Sequence, residues 1–255
     1  IENNFKNDKR IILAQLSRNF GHHHAMMAGL SLVNGDLVFL IDSDLEESPE
    51  LINIFYEKYL NYNCDVVYGY QQSRKGGLNE KTLGFLFYKA FNFLSTIKLT
   101  RNVCVARIMT RDYVENLLKV KDKALFLAGV WELIGFRQVP IQITKNSRKK
   151  SSYSFKKRVV QALTAISSFS TRPLFMIFLI GLLTLILGAI LFLYNTYIYF
   201  STNASPPGFM TLFVLQIISL GLIVFNQGII AIYLSTIFKE LKDRPNYIIR
   251  KIFSP

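Results

Sequence analysis

The sequence predicts an α/β domain followed by an amphipathic helix and two membrane-spanning helices. Three observations predict it. Short apolar runs alternate with helix-like stretches up to about Arg172, two long uncharged apolar runs follow, and a basic segment of helical period joins the two parts. The chain has 255 residues, a net charge of +13 and 51% hydrophobic residues. A soluble nucleic-acid-binding protein would explain the charge but not the apolar content, so nucleic acid is not expected as a partner. Splitting the chain near Arg172 removes the conflict, because almost all the long apolar runs lie beyond it.

The elements of the first part follow in order. The opening IENNFKNDKR is polar, Ile1 is not a start methionine, and no basic–apolar–small signal pattern is present, so the chain reads as a fragment that begins inside a longer protein. Arg10 to Leu16 reads as a short strand and SRNFGHHH as a turn-rich connection. Ala25 to Val33 has a helical look, closed by Asn34-Gly35. Asp36 to Ile41 (DLVFLI) is a strand, nearly all apolar as a central strand is. Ser48 and Pro49 mark a helix start, serine as cap and proline in the first position. Asp65 to Tyr70 (DVVYGY) is another strand. Alternating strands and helices imply a mostly parallel sheet. Two cysteines, Cys64 and Cys104, with no C-x-x-C, argue against a disulfide framework and fit a reducing compartment.

Leu174 to Phe200 and Phe209 to Phe238 carry no charge, and each exceeds the roughly 20 residues that a span requires. The uncharged STNASPPG between them makes a helical hairpin. Tyr194, Tyr197 and Tyr199 gather at one end of the first run, as interface aromatics do. Basic residues flank the pair on both outer sides: Arg148, Lys149, Lys150, Lys156, Lys157, Arg158 and Arg172 before, Lys239, Lys242, Arg244, Arg250 and Lys251 after. The positive-inside rule then places both flanks in the cytoplasm and the loop outside. Gln216, Asn226 and Gln227 inside the second run are expected to bond between helices or line a path, and residues such as Asn226 leave room for a homo-oligomer. Phe155, Val159, Leu163 and Ile166 share one helical face, which suggests a helix lying in the headgroup region. KELKDRPNYIIRK could lie on the same surface. The expected division is 1–150 α/β domain, 151–172 amphipathic helix, 173–238 hairpin and 239–255 cytoplasmic tail.

The acids carry the functional signal. IDSDLEE begins at the end of the DLVFLI strand, and ligands of open α/β sheets bind outside the carboxyl ends of strands. Asp42 and Asp44, one residue apart, allow one loop to aim both carboxylates at one cation, with Glu46 as a third. Hard oxygen donors suit Mg²⁺ or Mn²⁺, which would neutralise a diphosphate. Many solvated turns contain a D-x-D; the buried strand before it and the S-P-E after it give this one meaning. His22, His23 and His24 diverge at a helix start and cannot share one ion, so His22 reads as a cap or as pocket packing. Arg74-Lys75-Gly76-Gly77 reads as a solvated loop or a lid over phosphate. Trp131, the sole tryptophan, reads as core or interface packing.

SRNFGHHHAMMAGLSLVNGDLVFLIDSDLEESPELI resembles the central block of family 2 glycosyltransferases of the polyprenyl-phosphate type. The likeness continues through VARIMTRDYV, VWELIGFRQVPIQI and SSYSFKKRVVQALTAISSFSTRPL and ends in YLSTIFKELKDRPNYII. It implies a Rossmann-like, GT-A type nucleotide-diphospho-sugar transferase domain. It also implies transfer of a sugar from a UDP- or GDP-linked donor to polyprenyl phosphate with inversion, at the cytoplasmic face of the inner membrane. The resemblance assigns Asp42 and Asp44 to metal and diphosphate, with Glu46 where the family often has glutamine. Arg18 and Asn19 are assigned to the nucleotide side, and Arg107 to the acceptor phosphate. Ala106 replaces the phenylalanine that usually precedes that arginine. Arg148 and Ser152, in KNSRKKSSY, are further acceptor-phosphate candidates, although the glycine usual before S-x-Y is missing. The alternatives are a processive polysaccharide synthase of the same superfamily, whose Q-x-x-R-W motif does not occur, and a non-catalytic lipid-binding adaptor. The adaptor would tolerate loss of Asp42 and Asp44.

Overall fold

The computed structural model describes residues 8, 10–72, 78–95, 97–145, 155–202 and 208–253. Six strands are β1 (Leu13–Leu16), β2 (Leu37–Leu40), β3 (Val66–Tyr70), β4 (Val103–Thr110), β5 (Gln138–Gln142) and β6 (Ile249–Phe253). The helices are α1 (His22–Leu30), α2 (Leu51–Tyr62), α3 (Leu78–Leu94), α4 (Arg111–Leu118), α5 (Leu127–Leu133), α6 (Phe155–Phe169), α7 (Arg172–Thr202) and α8 (Phe209–Leu241).

Four strands form one sheet in the order β2-β4-β3-β5. The sheet is mixed, not mostly parallel. β4 runs antiparallel to both β2 and β3, and only β3 and β5 pair in parallel. The sequence VCVARIMT explains why β4 sits centrally: Cys104, Ala106, Arg107, Ile108 and Met109 are all buried, so both faces are covered. Alternation along the strands divides the core in two. Val66, Tyr68 and Met109 join α1, α4 and α5 on one face, while Val67, Ile108 and Ala106 meet Phe55 of α2 on the other. The start of α2 differs from the serine-cap expectation. The helix begins at Leu51 after Glu50, and it is the carbonyl of Ser48 that accepts the Leu51 N–H.

The apolar helices are fastened to this domain at several points. Phe169, the last residue of α6, is buried against Phe91 of α3 and Phe126, with ring centroids 6.3 and 6.2 Å away. Its carbonyl accepts the Ser95 hydroxyl at 3.1 Å. The Ser170 hydroxyl donates to the Leu94 carbonyl, and Arg172 Nη1 donates to the Phe93 carbonyl at 2.6 Å, so the end of α3 meets the start of α7. The expected apolar stripe of α6 is shared between two surroundings. Ile166 packs on the core, while Val159 and Leu163 remain exposed.

Helices α7 and α8 are long and apolar enough to cross a membrane. Arg172–Ile198 has a mean hydropathy of 2.9 and Leu215–Leu241 of 2.1, and neither is buried in the protein. Tyr233 of α8 donates to the Ser170 carbonyl at 2.7 Å.

The segment after α8 does not simply extend along a surface. Glu240 accepts the backbone N–H groups of Lys123 and Ala124 at 2.8 and 3.3 Å, and Asp243 pairs with Lys123 at 2.8 Å. Asn246 donates to the carbonyls of Lys121 and Asp122. β6 then pairs antiparallel with β1 as a separate two-stranded sheet. The reason is local chemistry: unpaired N–H groups in a loop and an open strand edge find acceptors and a partner strand in the tail.

Candidate active site

Strand β2 ends at Leu40, opposite Arg107 of β4, and the acidic loop leaves from there. Asp42 Oδ1 lies 2.8 Å from Nε2 of His22, the first residue of α1. This contact joins the SRNFGHHH turn to the D-x-D loop, two segments that the sequence keeps twenty residues apart. The turn that delivers His22 is built by its own residues. Asn19 Oδ1 accepts the Gly21 N–H at 2.8 Å, and Gly21 takes a φ of 91°, which favours glycine. Arg18 is exposed and stacks over the Phe20 ring at 4.4 Å. Arg18 and Asn19 therefore belong to the turn before α1, and Asn19 shapes that turn.

Asp44 Oδ1 accepts the Glu46 N–H at 3.1 Å. Leu45 between them has φ of 59°, a left-handed backbone that costs an ordinary side chain about 1 kcal/mol or more. The reversal leaves Asp44 exposed while Glu47, two residues past Leu45, is completely buried. Among the described residues no three His, Cys, Asp or Glu side chains converge as a metal site, so Glu46 is not gathered with Asp42 and Asp44 into one ligand set. His22 and His23 also diverge, as expected: His23 Nδ1 faces the Leu125 carbonyl at 3.0 Å instead. His22 is not a helix cap, since Gly21 holds that position without a side-chain bond.

Arg107 is 1% exposed. Its Nε donates to the Val105 carbonyl and its Nη2 to the Cys104 carbonyl, each at 3.2 Å, and the guanidinium lies 3.1 Å from the Trp131 ring centroid. Burial draws its pKa down to about 10, which leaves it charged at neutral pH. Trp131 is thus a core residue and the platform for this arginine.

Glu47 was not singled out by sequence reasoning. Its two oxygens accept the N–H groups of Val105 and Ala106 at 3.2 and 2.6 Å, and Lys145 Nζ lies 2.6 Å from Oε1. Burial works against the charge on Lys145, but the hydrogen bond and negative charge of Glu47 outweigh it and raise its pKa. The signal that could have pointed to such a group is Arg107 itself. A cation inside the apolar run VCVARIMT needs buried negative charge or carbonyls nearby. Cys104 beside this pair is pushed up to about 12, chiefly by burial, and is an unreactive thiol. Arg148, Ser152 and the Arg74–Gly77 segment lie outside the described residues.

The profile of Glycosyl transferase family 2 matches residues 1–118. A glycosyltransferase of Mycobacterium tuberculosis (strain CDC 1551 / Oshkosh) is 39% identical over 96% of this chain and 72% of its own length. The chain belongs to glycosyl transferase family 2. Two further relatives of this family carry more specific names. The SfII prophage-derived bactoprenol glucosyl transferase of Shigella flexneri is 32% identical over 96% of the chain and 80% of the relative. The prophage bactoprenol glucosyl transferase homolog of Escherichia coli (strain K12) is 30% identical over 96% and 81%. A family 2 domain with a mixed sheet, followed by two apolar helices, is therefore the architecture of a glycosyltransferase.

Proposed function

We propose that this glycosyltransferase moves a sugar from a nucleotide-sugar donor to a polyprenyl phosphate at the cytoplasmic face of the inner membrane, with inversion at the anomeric carbon. One observation carries the reading. The likeness to a bactoprenol glucosyl transferase and to a bactoprenol glucosyl transferase homolog runs over 96% of the chain, through the domain and both apolar helices alike. The fastening of α3, α6 and the tail to those helices supports it, because an acceptor phosphate anchored in lipid must be met at the headgroup level. The basic flanks on the cytoplasmic side favour the leaflet where nucleotide sugars are found.

In this reading an oxygen of the acceptor phosphate forms a bond to the anomeric carbon while the bond from that carbon to the donor diphosphate breaks. The nucleoside diphosphate leaves with the electron pair. A phosphate monoester is already anionic near neutral pH, so no strong general base is required. Asp42 and Asp44 fit a divalent cation such as Mg²⁺ or Mn²⁺ in their chemistry, because such ions take one or two carboxylates and complete their shell with substrate phosphate and water. A bound cation supplies positive charge against the leaving diphosphate. Glu46 is a further oxygen donor on the same loop, although it is not gathered with Asp42 and Asp44 in this structure. His22 holds one oxygen of Asp42, which orients that carboxylate. Arg18 and Asn19 are read as the nucleotide side and Arg148 and Ser152 as the acceptor-phosphate side, with Arg107, enclosed in this structure, contributing its positive charge from beneath.

The test is a panel of UDP- and GDP-sugars with undecaprenyl phosphate in detergent or vesicles, and Asp44→Ala as control. The expected result is sugar-linked lipid from one donor, with Asp44→Ala slower on the order of a thousandfold, as loss of several kcal/mol of charge stabilisation predicts. Absence of lipid product from every donor, with folded protein, refutes the reading.

A further inference from the structure

We infer that Glu47 is a positioning residue that sets Arg107 through two shared peptide groups, and so builds the acceptor side of the site onto the donor loop. The geometry is specific. Glu47 Oε1 accepts the N–H of Val105, whose peptide group ends in the Cys104 carbonyl, and that carbonyl accepts Arg107 Nη2. Glu47 Oε2 accepts the N–H of Ala106, whose peptide group ends in the Val105 carbonyl, and that carbonyl accepts Arg107 Nε. A carboxylate and a guanidinium thus grip the same two peptide groups from opposite ends. The charge on each end polarises the peptides in the direction that strengthens the bond at the other end.

The strand is shaped for this grip. Over the step from Tyr68 to Tyr70 on β3, the partner on β4 moves from Arg107 to Val103, so β4 carries extra residues there. An irregularity of this kind frees two consecutive N–H groups from ordinary ladder pairing. Pairing with β2 has also ended, since Leu40 opposite Arg107 is its last contact. Glu47 takes the place of the absent strand neighbour. With Glu47 fully buried and Arg107 1% exposed, neither group exchanges its partners for water. Lys145 closes the arrangement on the other side of Glu47, in the segment that leads directly to Arg148. The whole lies one residue beyond Glu46 and three beyond Asp44 in the chain, so the donor loop is tied to β4 at this point.

The inference rests on the polyprenyl-phosphate reading and on Arg107 serving the acceptor. The experiment measures transfer with purified full chain, varying undecaprenyl phosphate at saturating donor and then donor at saturating lipid. It compares wild type, Glu47→Gln, Arg107→Lys and the double variant. Glutamine offers one oxygen and one N–H₂ to two N–H donors, so it satisfies only one of them. The expected result is a rise in the acceptor KM of about tenfold or more for each single variant, with a smaller change in donor KM. The double variant is no worse than the more severe single, because Glu47 acts through Arg107. Glu47→Asp keeps the charge with a shorter reach, is expected to show a smaller rise of the same kind, and carries the test if the glutamine variant does not fold. Additive effects, equal shifts in both KM values, or a lower kcat with both KM values unchanged overturn the inference while leaving the transfer reading intact. Failure of wild type to transfer sugar overturns the reading and the inference with it.

Discussion

Replacing Phe169 tests whether the domain and the first apolar helix are one mechanical unit. Phe169 ends α6, is 8% exposed, and packs among Phe91, Phe126 and the Gly129 backbone. Phe169→Ala removes a buried ring from this site, which costs about 3–5 kcal/mol. For a chain of this size each kcal/mol moves the midpoint by about 2–4 °C, so the expected loss is about 6–20 °C. Trp131, the only tryptophan, belongs to the same core cluster and reports unfolding of the domain by its own fluorescence. Gly129→Ala supplies an internal control. A Cβ there would stand 2.7 and 2.8 Å from two Phe169 ring atoms, closer than ordinary carbon contact of about 3.5–4.0 Å. Overpacking of about 1–3 kcal/mol is then partly offset by up to about 1 kcal/mol of helix propensity in α5. In the Phe169→Ala background the clash is gone, and Gly129→Ala turns neutral or stabilising. A Phe169→Ala midpoint within about 2 °C of wild type, or the same Gly129→Ala effect in both backgrounds, refutes this account of the junction.

Two other outcomes are expected. Burial holds His23 below its ordinary value of 6.5, and His24 likewise, so the unfolded chain takes up protons that the fold refuses as pH falls through that value. Stability therefore declines from about pH 7 toward 5, and His23→Gln flattens the decline in thermal unfolding curves. Glu240→Gln weakens the hold on Lys123 and Ala124 by about 1 kcal/mol; trypsin should then cleave faster after Lys123 and Lys242, with little change in the Trp131 transition.

What the sequence shows of this fold follows physical range. β2 and β3 are legible because a run such as DLVFLI or DVVYGY is apolar on both faces, which only a buried strand tolerates. The D-x-D loop is legible because two carboxylates follow such a strand. The direction of β4 is not, because VCVARIMT announces burial but says nothing of which neighbours it pairs with. The β1–β6 pair joins Leu13 to Phe253, and no local pattern marks a contact of that span. Glu46 and Glu47 look alike in the sequence. A left-handed turn at Leu45 precedes them, and one ends half-buried on the acidic loop while the other is wholly enclosed beneath it. The resemblance marks Arg107 only as a candidate cation, and its enclosure against Trp131 depends on a helix more than twenty residues away.

The attachment of the domain to its apolar helices has a consequence for the site. A single flexible joint before α7 would let the domain swing, and the height of Asp42 above the lipid would vary with it. The structure has three fastenings on different elements: Phe169 and Ser170 on α3, Glu240 and Asn246 on the 121–124 loop, and β6 on β1. Two fastenings still allow rotation about the line between them, and a third removes it unless all three are collinear. The middle fastening leads onward to the site. Glu240 holds Lys123 and Ala124, the next residue Leu125 presents its carbonyl to His23, and the adjacent His22 meets Asp42. The C-terminal end of α8 is thus joined to the acidic loop through one short segment and two neighbouring histidines. On the proposed reading, depth in the bilayer, set by the uncharged lengths of α7 and α8, would thereby be transmitted to the carboxylates, as a reaction between a soluble donor and a lipid-held phosphate requires.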